Sequence, residues 1–212
     1  MSALLAIFGT SFVIAFSGAA MPGPVMTATI SESARRGPVA GPLIVAGHAV
    51  LELVLVILIM LGLAPFLQKG WVFATIALVG SLMLARMAWS MFRSIPSLSI
   101  HADVREQTGA NLMVTGAVLS LSTPYWTLWW ATIGLGYILY SARLGPAGVA
   151  VFFVGHILGD LVWYSAISLA IGKGRKFLSD RSYRVIIGSC AAFLLALACW
   201  FAWSGMHRAL TL

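Results

Sequence analysis

The sequence predicts an all-α integral membrane protein of six transmembrane helices, arranged as two inverted three-helix repeats whose first and fourth helices are broken by proline. The prediction rests on the composition, on apolar runs of spanning length and on a motif that recurs in both halves. Of 212 residues, 60% are hydrophobic and 9% are charged, whereas soluble domains average about 25% charged residues. A soluble globular domain is therefore excluded. A spanning helix needs roughly 20 apolar residues, so residues 1–212 are expected to form a single transmembrane domain.

The apolar runs define the six helices. In the first half they cover residues 4–20, 43–67 and 71–92, and in the second half residues 109–140, 147–171 and 183–203. The run at 109–140 is too long and too interrupted to be one straight span. A polar connection at residues 94–108 separates repeat one (about 1–93) from repeat two (about 109–212). The first run lacks the preceding cationic segment of a signal peptide, so we predict a retained helix.

The charged residues predict the orientation in the membrane. The net charge is +7, and the cations lie between apolar runs, with no basic groove that would indicate nucleic-acid binding. Loops one, three and five carry most of them, and the positive-inside rule makes these loops cytoplasmic and both termini external. The cations near these loops are Arg35, Arg36, Arg93, Arg105, Lys173, Arg175, Lys176, Arg181 and Arg184. We therefore expect a multi-pass protein of the cytoplasmic membrane.

A short motif recurs in the two halves. Residues 47–54 read GHAVLELV and residues 155–162 read GHILGDLV, and Gly, His, an acid, Leu and Val recur at matching offsets. Each motif follows a proline-interrupted apolar run. Because three crossings reverse the side of the membrane, a repeat of three spans must be inverted. Inverted repeats with broken helices are typical of secondary transporters, whose binding site lies near the midplane.

Two ionisable pairs are the candidate functional residues. His48 and Glu52 are four residues apart, as are His156 and Asp160, so each pair occupies one helix face. A charged group deep in a bilayer costs about 2.5–3.5 kcal/mol on insertion scales, and such residues usually face the bundle interior. Three interpretations stay open: a proton-coupling or substrate site, ligands for a divalent metal, or pairs that only fix helix packing.

The proline breaks supply complementary groups. Proline has no N–H and clashes with the preceding turn, so the broken helices expose free backbone groups. A helix that restarts near Pro24 or Tyr125 points its positive end inward and favours a carboxylate. Glu52, Asp160 or an aromatic face such as Trp126 or Trp130 could then meet an ammonium group. The predicted substrate-binding residues at the breaks are Pro22, Gly23, Pro24, Thr123, Pro124, Tyr125 and Trp126.

With these motifs the chain resembles the LysE/RhtB-type amino-acid exporter family over essentially its whole length. The resemblance is carried by Met21-Pro22-Gly23-Pro24, by Arg35-Arg36-Gly37 with Gly41, by Gly47 followed by Glu52, and by Ser122-Thr123-Pro124. It implies six spans, export driven by the membrane gradient, and Glu52 as the intramembrane acid. The chain departs from the family pattern at Thr123-Pro124-Tyr125, which has neither the amide nor the lysine of the family's usual Asn-Pro-Lys triplet. Its paired His48 and His156 are also not general to the family. The wider superfamily includes metal-ion exporters.

We therefore predict a proton-coupled secondary exporter of amino acids or similar small zwitterions that works by alternating access. The alternative is a divalent-metal exporter that uses His48, Glu52, His156 and Asp160 as ligands. The expected partners are the small-molecule substrate, protons and the lipid bilayer, with no nucleic acid and no cofactor, and a homodimer stays open. No nucleophile–base pair or phosphate loop indicates an enzyme.

Overall fold

The computed structural model describes residues 2–67, 69–98, 111–174 and 179–211, and no strand occurs in these ranges. The predicted connection therefore falls largely outside the described residues, as do Arg105, Arg175 and Lys176. The α-helices are α1 (Ser2–Ala19), α2 (Pro24–Arg36), α3 (Ala40–Leu58), α4 (Ala64–Leu67), α5 (Gly70–Ser94), α6 (Leu112–Leu121), α7 (Pro124–Trp129), α8 (Leu135–Ser141), α9 (Gly145–Gly174) and α10 (Asp180–Leu210). The all-α prediction agrees with this architecture.

Both predicted proline breaks are present. The first helix stops at Ala19 and a new helix starts at Pro24, while α6 stops at Leu121 and α7 starts at Pro124. Proline suits the first position of a helix because its φ angle is already helical and the missing N–H would be unbonded there anyway. The run at 109–140 is thus interrupted, as the sequence predicts.

Five continuous helical stretches within the described ranges are long and apolar enough to cross a membrane, and one of them, Pro124–Gly174, has 51 residues. At 1.5 Å per residue that stretch would measure about 76 Å if straight, more than twice the roughly 30 Å hydrocarbon core. It is broken at Gly145, whose φ of 72° is not helical. Large apolar side chains such as Leu61 and Leu82 are exposed on the outer surface, as expected for lipid-facing helices. The protein is therefore an all-α membrane protein.

Glycines bring several helix pairs into backbone contact, among them α3–α6 and α1–α9. On α3, a Cβ atom at Gly47 would overlap the Met113 carbonyl of α6, and a Cβ at Gly116 would overlap the Ile44 carbonyl. Helix α9 packs on α1 in the same manner, since a Cβ at Gly155 would overlap the Phe8 carbonyl. Small residues at such contacts allow the van der Waals packing that holds membrane helices together. The two pairs α3–α6 and α1–α9 frame the centre of the molecule.

Hydrogen bonds join three helices at the end of the bundle that carries the basic loops. The hydroxyl groups of Ser33 on α2 and Ser168 on α9 lie 2.6 Å apart, and the Gly41 N–H of α3 donates to Ser168 Oγ at 2.9 Å. Glu32 pairs with Arg36 at 2.7 Å on the adjoining surface. Three helices therefore meet next to the cationic loop ends.

Candidate functional site

The four predicted ionisable residues meet at the centre of the bundle. His48 and Glu52 lie on α3, and His156 and Asp160 lie on α9. His48 Nε2 is 2.9 Å from Glu52 Oε1 and 3.3 Å from Asp160 Oδ2. His156 Nε2 is 3.2 Å from Glu52 Oε2 and 3.5 Å from Asp160 Oδ2. Each histidine therefore contacts both carboxylates, and the two helices are joined through charge.

This cluster is almost sealed from its surroundings. The side chains of Glu52 and Asp160 are only 2% and 4% exposed, and that of His48 is 12% exposed. Glu52 Oε2, Asp160 Oδ2 and His156 Nδ1 are buried without a hydrogen bond to any described residue. The two carboxylate oxygens lie 3.2–3.5 Å from imidazole nitrogens, so the histidines are their polar neighbours. Buried polar atoms normally have a hydrogen-bond partner, which makes His156 Nδ1 the atom of this group best placed to accept a ligand.

Two indole groups bind the same Glu52 oxygen that His48 contacts. Trp126 Nε1 donates to Glu52 Oε1 at 2.9 Å, and Trp130 Nε1 donates to the same oxygen at 2.8 Å. Helix α7 carries Trp126, and the wider π-helical turn Trp130–Gly134 begins at the second tryptophan. The four-residue spacing places both indoles on one side of this segment. The sequence suggested their aromatic faces as ligands for an ammonium group, whereas the structure uses their N–H edges on a carboxylate.

The two histidines have different surroundings. His48 Nδ1 lies 2.7 Å from Ser120 Oγ of α6. His156 is instead enclosed by aromatic rings, stacked on Trp129 with 4.8 Å between centroids and on Phe152 with 6.0 Å. The sequence analysis did not identify Trp129 or Phe152 as site residues. Phe152 precedes His156 by one helical turn, a spacing that could have indicated the contact.

A cavity of about 80 Å³ adjoins the cluster. A single water needs only about 10–15 Å³ of such space, so several waters or a small ligand would fit. The predicted residues Gly23, Pro24, Thr123, Tyr125 and Trp126 line it, together with the four ionisable residues and an apolar wall that includes Met21, Met26, Leu84, Leu194 and Leu197.

Two predicted residues do not belong to this lining in the part of the chain that the structure describes. Pro22 lies within the first break but outside the cavity wall. Pro124 faces α5, where its ring leaves no space for a Cβ at Gly80. Proline at this position thus starts α7 and packs against a neighbouring helix, while Thr123 and Tyr125 on either side of it reach the cavity.

Comparison with known proteins identifies the family. The model of the LysE type translocator family matches residues 16–205. The chain belongs to the LysE type translocators. Among curated proteins, this translocator is similar to the "Chemotactic transduction protein ChpE" of Pseudomonas aeruginosa, with 26% identity over 196 residues, 92% of this chain and 97% of that protein. No solved structure matches. Membership makes the protein a membrane transporter and not an enzyme, as the sequence predicts.

The central cluster of this LysE type translocator also has the donor set of a metal site. One ligand atom from each of His48, Glu52, His156 and Asp160 lies within 4.8 Å of every other. Tetrahedral zinc takes nitrogen and oxygen ligands at about 2.0–2.2 Å, which separates neighbouring ligand atoms by roughly 3.3–3.6 Å. The histidine–carboxylate distances of 2.9–3.5 Å are close to that range. The donor types, two imidazole nitrogens and two carboxylate oxygens, are therefore those that a divalent transition metal takes.

Proposed function

We propose that this LysE type translocator is a secondary exporter of amino acids or similar small zwitterions, coupled to protons and working by alternating access in the cytoplasmic membrane. One observation carries the proposal: a buried cluster of two histidines and two carboxylates forms one wall of a cavity that both broken helices reach. Ionisable groups buried at membrane depth mark substrate pathways and proton relays.

The cavity offers both charges that a zwitterion requires. Helix α2 begins beside it at Pro24, and no side chain caps this helix end. The free N–H groups and the helix dipole at such an end favour a carboxylate. Asp160, whose Oδ2 lies 3.3 and 3.5 Å from the two imidazole nitrogens, would supply the negative charge for the ammonium group. The cavity thus has a helix end that favours a carboxylate and a carboxylate that favours an ammonium group, and this combination supports a small zwitterion as cargo.

The helix packing supports the inverted-repeat architecture in one transmembrane domain. We assign the six spans to α1–α2, α3–α4, α5, α6–α8, α9 and α10. An inverted repeat pairs span one with span four and span two with span five, so a contact of α1 with α9 requires a contact of α6 with α3. Both contacts are present and both involve glycines of the recurring motif, Gly155 and Gly47. In the proposed cycle, alternating access would move the pair α1–α9 against the pair α3–α6 around the shared site.

The proposed orientation places both chain termini outside the cytoplasm, because the cationic ends of α2 and α9 lie on the cytoplasmic side. A fluorescent protein that matures only in the cytoplasm, fused after Leu212, is expected to stay dark. The same reporter inserted after Leu98, at the proposed cytoplasmic connection, is the positive control. Fluorescence of the C-terminal fusion would contradict this orientation.

A second candidate cargo is a divalent metal ion. The observation that favours it is the close approach of two imidazole nitrogens and two carboxylate oxygens in a buried site. Imidazole suits zinc, copper, iron and nickel, and the same four side chains would then bind the transported ion. This alternative keeps the transport cycle and changes only the cargo.

A thermal-shift screen separates the two cargoes. Detergent-purified protein would be titrated with single amino acids and with divalent cations, and a ligand at 100 times its dissociation constant should stabilise it by about 2.7 kcal/mol. We expect stabilisation by an amino acid. The same screen would be run on His48→Ala with His156→Ala, and on the control His207→Ala, which changes an exposed histidine of α10. Stabilisation by a metal alone, lost in the double variant and kept in the control, would favour the metal exporter.

A further inference from the structure

The two central histidines occupy matching places in the repeats. They differ in the partner of Nδ1, the ring nitrogen that does not contact the carboxylates. His48 Nδ1 is 2.7 Å from Ser120 Oγ, whereas His156 Nδ1 is buried without a hydrogen bond to any described residue. The Nε2 atoms of the two histidines have the same partners, since each contacts both Glu52 and Asp160. The asymmetry therefore lies outside the charge cluster, in the helix that packs behind each histidine.

The hydrogen bonds of Ser120 determine which atom carries the proton. Ser120 is fully buried, and its Oγ also lies 2.8 Å from the Gly116 carbonyl oxygen. A carbonyl oxygen only accepts, so the single hydroxyl proton of Ser120 is donated to Gly116. With that bond made, the contact with His48 is an N–H of the ring donated to Ser120 Oγ. This arrangement assigns a proton to His48 Nδ1 and leaves Nε2 as the nitrogen that gains or loses one.

The helix behind His156 carries the hydroxyl of Ser11 beside Gly155, but that hydroxyl donates to the Phe8 carbonyl and, among the described residues, does not bond His156. Gly47 on α3 lies against the Met113 carbonyl, and Gly155 on α9 lies against the Phe8 carbonyl. Ser120 follows Met113 by seven residues on α6, and Ala15 follows Phe8 by seven residues on α1. Ala15 therefore occupies the place in the first repeat that Ser120 occupies in the second. Ala15 is fully buried and has no hydroxyl. The first repeat thus lacks the counterpart of Ser120.

We propose that Ser120 is a positioning residue that fixes the ring orientation and tautomer of His48, leaving His156 as the histidine that can rearrange during transport. A hydrogen bond to the distal nitrogen selects which imidazole nitrogen faces the site, and such outer partners strongly affect how the ring functions. His48 therefore presents Nε2 to both carboxylates throughout. His156 is held by ring stacking, which constrains its plane but not its proton. This role rests on the proposed function of the cluster.

Nitrogen-15 NMR of ring-labelled histidine in lipid bilayers tests this role without knowledge of the cargo. In the unmodified protein, the His48 Nδ1 signal should be that of a protonated, hydrogen-bonded nitrogen whether or not Nε2 is also protonated. Loss of one signal in His48→Asn assigns the resonance. In Ser120→Ala the protonated Nδ1 signal should give way to a mixture of tautomers, and Ser120→Thr should restore it because threonine keeps the hydroxyl.

Ser81→Ala is the matched control, since Ser81 is also a buried serine whose hydroxyl donates to its own helix, at Leu78. It should leave the His48 signal unchanged. An unprotonated His48 Nδ1 in the unmodified protein would overturn the proposal, and so would an unchanged signal in Ser120→Ala. If Ser120→Ala does not fold, the spectrum of the unmodified protein decides alone. The spectrum does not depend on transport, so the two proposals can fail separately. A fixed His48 tautomer together with normal efflux after Glu52→Gln would refute only the proton-coupled exporter.

Discussion

Replacing Glu52 with glutamine is expected to abolish proton-driven efflux while the protein still inserts in the membrane. Glutamine keeps an oxygen for the indole N–H groups of Trp126 and Trp130 but removes the charge that faces both histidines. Transfer of a proton by a positioned side chain typically contributes about 10²–10⁴-fold to a rate. We expect efflux to fall by at least about a hundredfold, and Asp160→Asn to have the same effect because it removes the other charge.

The measurement is efflux of the amino acid that gives the largest thermal shift, from proteoliposomes across an imposed pH gradient. Glu32→Gln is the matched control. Glu32 forms a peripheral ion pair with Arg36 at 2.7 Å, and pairs of that kind contribute only about 0–1 kcal/mol to stability. It should transport almost normally. Efflux at the unmodified rate in both Glu52→Gln and Asp160→Asn would refute a proton-coupling role for the cluster.

Replacing Gly47 with alanine is expected to destabilise the folded protein by about 3 kcal/mol, the upper end of the usual cost of overpacking. The added methyl group would overlap the backbone of Met113, which unlike a flexible side chain cannot turn away. Helices α3 and α6 would have to separate, and the contact between His48 and Ser120 would lengthen with them. The expected result is therefore a lower unfolding temperature together with reduced transport.

Thermal unfolding in detergent checks this expectation, with Gly9→Ala as control. Gly9 also lies in an apolar helix, but no heavy atom lies within 4 Å of the place where its Cβ would stand. Alanine there should be neutral or stabilise the helix by roughly 0.5–1 kcal/mol. Equal unfolding temperatures for Gly47→Ala and Gly9→Ala would show that the close approach of α3 and α6 is not what holds this pair together.

The helices and the central cluster could be predicted because both depend on local sequence patterns. Apolar runs of spanning length indicate helices, and proline at 24 and 124 marks where two of them restart. The histidine–carboxylate pairs could be located because buried charge is costly in a membrane and a four-residue spacing defines one helix face. The recurrence of the pair in both halves then indicated that the four side chains meet.

The partners of the cluster could not be predicted, because they depend on how distant segments pack. Trp126 and Trp130 lie more than 70 residues from Glu52 in the sequence, and aromatic residues in apolar runs are common at membrane interfaces. Ser120 resembles any serine that bonds its own helix until His48 is placed beside it. Pro124 reads as a cavity residue by analogy with Pro24, yet it faces Gly80 of α5.

The backbone contacts within α3–α6 and α1–α9 also limit how this translocator can move. Neither pair can slide or separate without losing its glycine contacts, so in the proposed cycle we expect each pair to move as a unit. We then expect bending where the helices are interrupted, at residues 20–23 and 122–123. Trp126 and Trp130 follow the second interruption while Glu52 sits on α3, so a swing of α7 would withdraw both indoles from the carboxylate. In the proposed cycle, movement of the helix pairs would thereby change the hydrogen bonding of the carboxylate that faces both histidines.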